Sequence, residues 1–204
     1  MIQNAIVACL AVCINCGFAV AGLAAAKRYG IGLTLCGGPG MVVIAFGTAV
    51  EIALFLVHGN YASPMFLIAF GAVVTGAACD AACGYVFDAI TLPSLGIMAS
   101  VAVARQAFPP FAFGAFACGA ALGCLYLFTR GRGLGLGDVK LACCIGGAAG
   151  AASGIESLGV AFVLGGTYAG YILVSKRAGR KDEMRFAPYL AAGMTAILLR
   201  GALA

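Results

Sequence analysis

The chain has 204 residues, of which 63% are hydrophobic and 9% charged, with a net charge of +5 and a mean hydropathy of +1.08. A typical soluble domain carries about 25% charged residues, so this chain lacks the polar surface that a soluble globule needs. The composition therefore excludes a water-soluble domain and indicates a polytopic membrane protein.

Apolar stretches close to the length that crosses a bilayer, ~20 residues, follow one another along the whole chain. They predict an all-α bundle of about eight transmembrane helices (six to eight) within a single membrane-embedded domain, residues 1–204. The predicted helices are 4–26, 40–57, 62–80, 90–104, 108–129, 139–153, 157–175 and 187–204. The glycine-rich segment 30–40 is predicted to connect the first two helices, and Pro109-Pro110 marks the start of the fifth.

The basic residues predict the orientation of these helices, because cytoplasmic loops of membrane proteins are enriched in Lys and Arg. With the N-terminus outside, ten of the twelve basic residues fall on the cytoplasmic side, and only Arg105 and Arg200 fall on the other. The ten are Lys27, Arg28, Arg130, Arg132, Lys140, Lys176, Arg177, Arg180, Lys181 and Arg185. Both termini are thus expected outside.

The acidic residues are few and selectively placed. Asp182 and Glu183 lie within a basic loop, and Glu156 is expected to be solvated in a short outer loop. The other four are Glu51, Asp80, Asp88 and Asp138. Ionisable groups near membrane depth are costly to bury, which makes these four the candidates for a functional site.

Asp80 and Asp138 are both predicted at cytoplasmic ends of helices, which makes them candidates for one site. Two carboxyl groups brought together cannot both ionise easily, so one holds a proton while the other is charged. Such a pair can activate water and protonate a scissile carbonyl, as in aspartic proteolysis. The alternative is structural: each aspartate caps a helix or pairs with an arginine, and Asp138 is a plausible N-cap of the sixth helix.

The residues around Asp138 favour the catalytic interpretation. Asp138 follows Gly135 and Gly137, which remove side chains from the backbone beside the carboxylate so that an extended peptide could approach. GxGD at the start of a helix is the signature of membrane aspartic proteases, and Gly135–Leu141 (GLGDVKL) resembles the form found in type IV prepilin peptidases.

Two further segments carry the same resemblance. Asp80-Ala-Ala-Cys-Gly84-Tyr-Val86-Phe-Asp88 is similar to the family pattern D-L-R-x-G-x-I-P-[ND], although Ala81-Ala82 replaces Leu-Arg and Phe87 replaces Pro. Phe186-Ala-Pro188-Tyr-Leu190 is similar to the family's F-x-P-x-L. The resemblance covers residues 62 to 204 and implies that Asp80 and Asp138 are catalytic, with Gly84, Asp88, Gly135, Gly137, Lys140 and Pro188 in support. Asp88 competes with Asp80 for the role of first catalytic residue.

The resemblance implies an endopeptidase of the prokaryotic cell (inner) membrane that removes leader peptides from pilin-like or pseudopilin precursors at the cytoplasmic face. It implies no metal and no organic cofactor, because two carboxyls and water suffice. The chain lacks the cytoplasmic insert with paired CxxC motifs that bifunctional members carry, which leaves N-methylation of the product open. Lys140 has two interpretations, a role beside the carboxyl pair or a lysine that reaches out to the membrane interface.

Other interpretations stay open at this stage. Asp80 and Asp138 could carry protons or cations in a small transporter, or the chain could be an inactive subunit of a pilus or secretion assembly. No catalytic partner is evident for Glu51, and His58, seven residues on, is expected in a solvated loop. Most of the ten cysteines lie in or beside apolar runs, where a free thiol packs like a small hydrophobic group, and Cys13 and Cys16 form a single CxxC.

Overall fold

The computed structural model describes residues 64–131, 133–175 and 185–203, together with positions 13, 16–20, 22, 24 and 27–28. The described residues from 64 onward form six helices. They are α1 (Pro64–Cys83), α2 (Asp88–Ala104), α3 (Phe108–Thr129), α4 (Leu136–Ala149), α5 (Ala151–Val174) and α6 (Ala187–Leu203). The described positions between 13 and 28 are also helical, and no strand occurs in this part of the chain. The prediction of an all-α bundle is confirmed.

Three of these helices, α1, α3 and α5, are long and apolar enough to cross a membrane, and α2 is a shorter apolar helix. The chain is therefore a membrane protein. The helix α1 is the central element: 78% of its apolar 18-residue stretch is buried inside the protein, against 28% for the corresponding stretch of α3 and 22% for that of α5. The outer helices instead expose large apolar side chains such as Phe116 and Val163, as lipid-facing surfaces do.

Glycines allow several helices to approach each other closely. A Cβ atom built on Gly114 of α3 would lie 2.2 Å from the carbonyl oxygen of Gly146 of α4. One built on Gly193 of α6 would lie 2.3 Å from the carbonyl oxygen of Ser157 of α5. Such backbone contact is available only to glycine, and membrane helices associate through small residues of this kind.

Pro109-Pro110 lies in the first turn of α3, as predicted, but the break between α4 and α5 differs from the prediction. We expected helices at 139–153 and 157–175, whereas α4 begins at Leu136 and the break falls at Gly150, whose φ is +80°. Glu156 therefore lies inside α5, not in a loop, and its Oε2 accepts a hydrogen bond from Nη2 of Arg200 at 2.6 Å. The predicted outer loop at Glu156 is wrong.

Some predictions fall on residues whose structure is not described. The helix 40–57, the glycine-rich segment 30–40, Glu51 and His58 all lie outside the described residues. Most of the basic loop before α6, residues 176–184, does so too. The predictions made for these segments stay predictions.

Candidate active site

Asp80 lies in the last turn of α1, and its side chain is buried, with 7% of the residue exposed. Its Oδ2 accepts a hydrogen bond from the main-chain N–H of Ala187, the first residue of α6, at 3.2 Å. The guanidinium of Arg185 donates to the carbonyl oxygen of Ala81, next to the aspartate. The chain leading into α6 thus packs over the end of α1 that carries this carboxylate.

Asp138 lies in the first turn of α4 and is buried to the same degree, with 7% exposed. The N-cap of α4 is Gly135, so the expectation that Asp138 is itself the N-cap is wrong. Its Oδ2 instead accepts the N–H of Gly135 at 3.2 Å, which is the acidic half of a capping box. Its Oδ1 is buried and has no hydrogen-bond partner among the described residues.

The packing of α1 against α4 brings Asp80 and Asp138 together. Gly76 of α1 faces Leu141 of α4, so closely that a Cβ atom on the glycine would lie 3.1 Å from the leucine Cδ atoms. Asp80 follows Gly76 by about one turn, and Asp138 precedes Leu141 by about one turn. The two carboxylates therefore lie towards the same end of the contact between α1 and α4, which run in opposite directions. They are close enough to interact electrostatically.

The connection between α1 and α2 lies against the start of α4. Gly84 ends α1 with a φ of +74°, a conformation that suits glycine, and its N–H bonds to the carbonyl oxygen of Asp80 at 2.8 Å. Two residues later, Val86 packs on Gly137, where a Cβ atom would lie 2.6 Å from that of the valine. Because Gly137 has no side chain, Val86 can pack beside the Asp138 carboxylate.

Asp88 and Lys140 lie at the same end but do not join the buried pair. Asp88 begins α2, and its Oδ1 forms an ion pair with Nζ of Lys140 in α4. The Asp88 side chain is 57% exposed and that of Lys140 is 30% exposed. Of the two candidates for the first carboxylate, Asp80 is therefore the one buried beside Asp138.

Pro188 is the second residue of α6, directly after Ala187. Its neighbours Phe186 and Leu190 are buried, and the Phe186 ring lies 5.0 Å from that of Phe162 in α5. These apolar contacts fix the start of α6, and so fix the N–H that Asp80 binds. Proline also suits the first turn of a helix, where its missing N–H leaves no gap in the hydrogen bonding.

The sequence motifs do not include Ala187, and the charge of Arg185 bears only on the predicted orientation. A main-chain donor has no side-chain signature, so nothing at position 187 could have indicated its contact with Asp80. Among the described residues, no three His, Cys, Asp or Glu side chains group closely enough to hold a metal ion.

The fold and the site define a membrane-embedded helical bundle with two buried carboxyl groups at one end. Residues 65–170, just over half of the chain, match the sequence profile of the type IV leader peptidase family. The chain belongs to this family, as the three motifs indicated. No curated protein and no solved structure matches it.

Proposed function

We propose that this protein is an aspartic endopeptidase that removes the leader peptide from pilin-like or pseudopilin precursors at the cytoplasmic face of the prokaryotic cell membrane. The observation that carries the proposal is the burial of Asp80 and Asp138 side by side, each holding one main-chain N–H. Membership of a peptidase family supports the same chemistry.

In the proposed reaction one carboxyl group acts as the general base and the other as the general acid. The charged carboxylate takes a proton from a water molecule, whose oxygen attacks the scissile carbonyl carbon, while the protonated carboxyl donates its proton to the carbonyl oxygen. The tetrahedral intermediate then collapses: the C–N bond breaks, and the leaving nitrogen receives a proton from the carboxyl that had taken it from water. A hydroxyl group of the intermediate returns its proton to the other carboxylate, which restores the starting state of the pair. The products are a new carboxyl terminus and a free amine, and no cofactor takes part.

The free Oδ1 of Asp138 suits this role. A buried oxygen without a partner is costly unless something else binds it, and a water or the substrate carbonyl would supply that partner. Gly135 leaves the backbone beside it without a side chain, so an extended peptide could approach the carboxylate there. The apolar segment of the precursor would remain in the bilayer while its leader lies at the site.

The proposal is tested by cleavage of a co-expressed pilin-type precursor. Asp80→Asn and Asp138→Asn should each abolish cleavage, whereas Asp88→Asn, which alters an exposed carboxylate, should retain measurable activity. Equal amounts of all four proteins in the membrane fraction exclude failure to insert. Cleavage by Asp80→Asn together with an inactive Asp88→Asn would instead make Asp88 the first catalytic residue.

The same experiment separates the other hypotheses. If the wild type cleaves no such precursor, the chain is an inactive assembly subunit or carries protons or cations instead. A pH-dependent uptake assay in proteoliposomes then distinguishes these two. The position of both carboxylates at helix ends favours proteolysis over transport, since a transporter binds its ions near the bilayer midplane.

A further inference from the structure

An ion pair joins the two segments that carry the buried carboxylates. Asp88 belongs to the segment that begins with Asp80, and Lys140 belongs to the segment that contains Asp138. The Lys140 ammonium bonds the Asp88 carboxylate across 52 residues of sequence. The contact therefore ties the start of α2 to the first turn of α4 just outside the buried pair.

The packing of Val86 on Gly137 makes a second link between the same two segments. The apolar contact and the ion pair lie two residues apart on one segment, at Val86 and Asp88, and three residues apart on the other, at Gly137 and Lys140. Two such links restrict both the separation of the segments and their rotation. They hold the end of α1 against the start of α4, where the two carboxylates are buried.

We propose that Asp88 and Lys140 form a positioning pair that sets the relative placement of Asp80 and Asp138. This inference rests on the proposed proteolytic function and extends it to two residues that do not touch the reacting atoms. Because both side chains are partly exposed, the pair contributes little to stability. Its loss should appear as a slower chemical step, since small displacements of reacting groups reduce rates strongly.

A set of neutral and conservative variants tests the pair. Asp88→Asn and Lys140→Gln should each lower kcat about tenfold and leave KM within about twofold. The double variant should lose no more than either single variant, because both changes remove the same contact. Asp88→Glu and Lys140→Arg keep both charges, so each should retain most of the wild-type kcat.

The ion pair between Glu156 and Arg200 provides a matched control. It also joins two helices through partly exposed side chains, with 47% and 63% exposed. Arg200 lies thirteen residues beyond Ala187 on α6, about 20 Å from the site at 1.5 Å per residue. Glu156→Gln, Arg200→Gln and their double variant should cleave the precursor at the wild-type rate.

Each contrary outcome has a distinct meaning. If the losses multiply in the double variant, the two residues act independently and the pair is refuted. If Lys140→Gln is slow while Asp88→Asn cleaves at the wild-type rate, Lys140 acts alone through its charge, which also refutes the pair. If Asp88→Asn and Asp88→Glu are both inactive, Asp88 is catalytic and its positioning role is refuted. A wild type and a Glu156→Gln control that both fail to cleave would refute the proposed function itself. If these two cleave normally and the pair variants do too, only the positioning role fails.

Discussion

Replacing Gly137 by alanine should separate the two segments that carry the catalytic candidates. A Cβ atom at this position would lie 2.6 Å from Cβ of Val86, whereas ordinary contacts begin near 3.4 Å. The connection between α1 and α2 must therefore retreat by about 0.8 Å, the difference between these two distances. Overpacking of this kind typically costs ~1–3 kcal/mol of stability.

The consequence for cleavage should be larger than the consequence for stability. A displacement close to 1 Å at an active site can lower a rate by on the order of a hundredfold. We therefore expect Gly137→Ala to lower kcat for precursor cleavage by roughly 10- to 100-fold, with the protein still present in the membrane. Purified enzyme, a fluorescent precursor peptide in detergent micelles and a thermal unfolding curve measure both effects.

Two companion substitutions make the test specific. Val86→Gly removes the atoms that the new methyl group would meet, so Gly137→Ala combined with Val86→Gly should recover activity lost through the clash. Val86→Ala keeps the Cβ atom at 2.6 Å and should not rescue. Gly123→Ala serves as the control, because its Cβ atom would meet Val139 at an ordinary 3.9 Å. A Gly137→Ala protein with wild-type kcat and melting temperature would refute this account of the packing.

Three other substitutions probe the bundle, each followed by thermal unfolding in detergent. Gly193→Ala places a methyl group 2.3 Å from the carbonyl oxygen of Ser157, so it should force α5 and α6 apart and cost ~1–3 kcal/mol; an unchanged melting temperature would contradict this contact. Leu141→Ala removes a fully buried side chain at the contact of α1 with α4 and should cost ~2–5 kcal/mol; a loss below that range would show that the site collapses. Glu156→Gln breaks an exposed ion pair with Arg200 and should cost at most about 1 kcal/mol, while a larger loss would mean that this contact carries more of the α5–α6 packing than its exposure indicates.

The sequence carries enough information to predict the helices described from Pro64 onward and the two buried carboxylates, because hydropathy and rare charges are properties of single residues. Boundaries between apolar helices are harder to predict. The stretch Ala148–Gly154 consists of small residues with nearly uniform hydropathy, so nothing in the pattern distinguishes a turn at Gly150 from one near Glu156. The turn falls at Gly150, whose φ is +80°, and Gly146 and Gly154 on either side of it lie close to Cys118 of α3.

The choice between Asp80 and Asp88 shows a similar limit. Both match positions of the same motif, and the two differ in environment, which the sequence does not contain. The structure separates them because α1 continues to Cys83 and buries Asp80 in its last turn. Asp88 begins the next helix instead, beyond the positive-φ turn at Gly84, and its carboxylate meets Lys140.

The starts of two helices explain how so apolar a protein keeps two carboxyl groups buried. The first N–H groups of a helix have no partner within it, and the helix dipole places partial positive charge at the same end. Gly135 at the start of α4 donates its N–H to Asp138, and Ala187 at the start of α6 donates its N–H to Asp80. Each carboxyl group thus satisfies one oxygen with a main-chain donor. The match to the family profile ends at residue 170, so the donor to Asp80 comes from a part of the chain that the match does not include. The arrangement at the site is therefore completed by α6, whose contribution lies in its backbone.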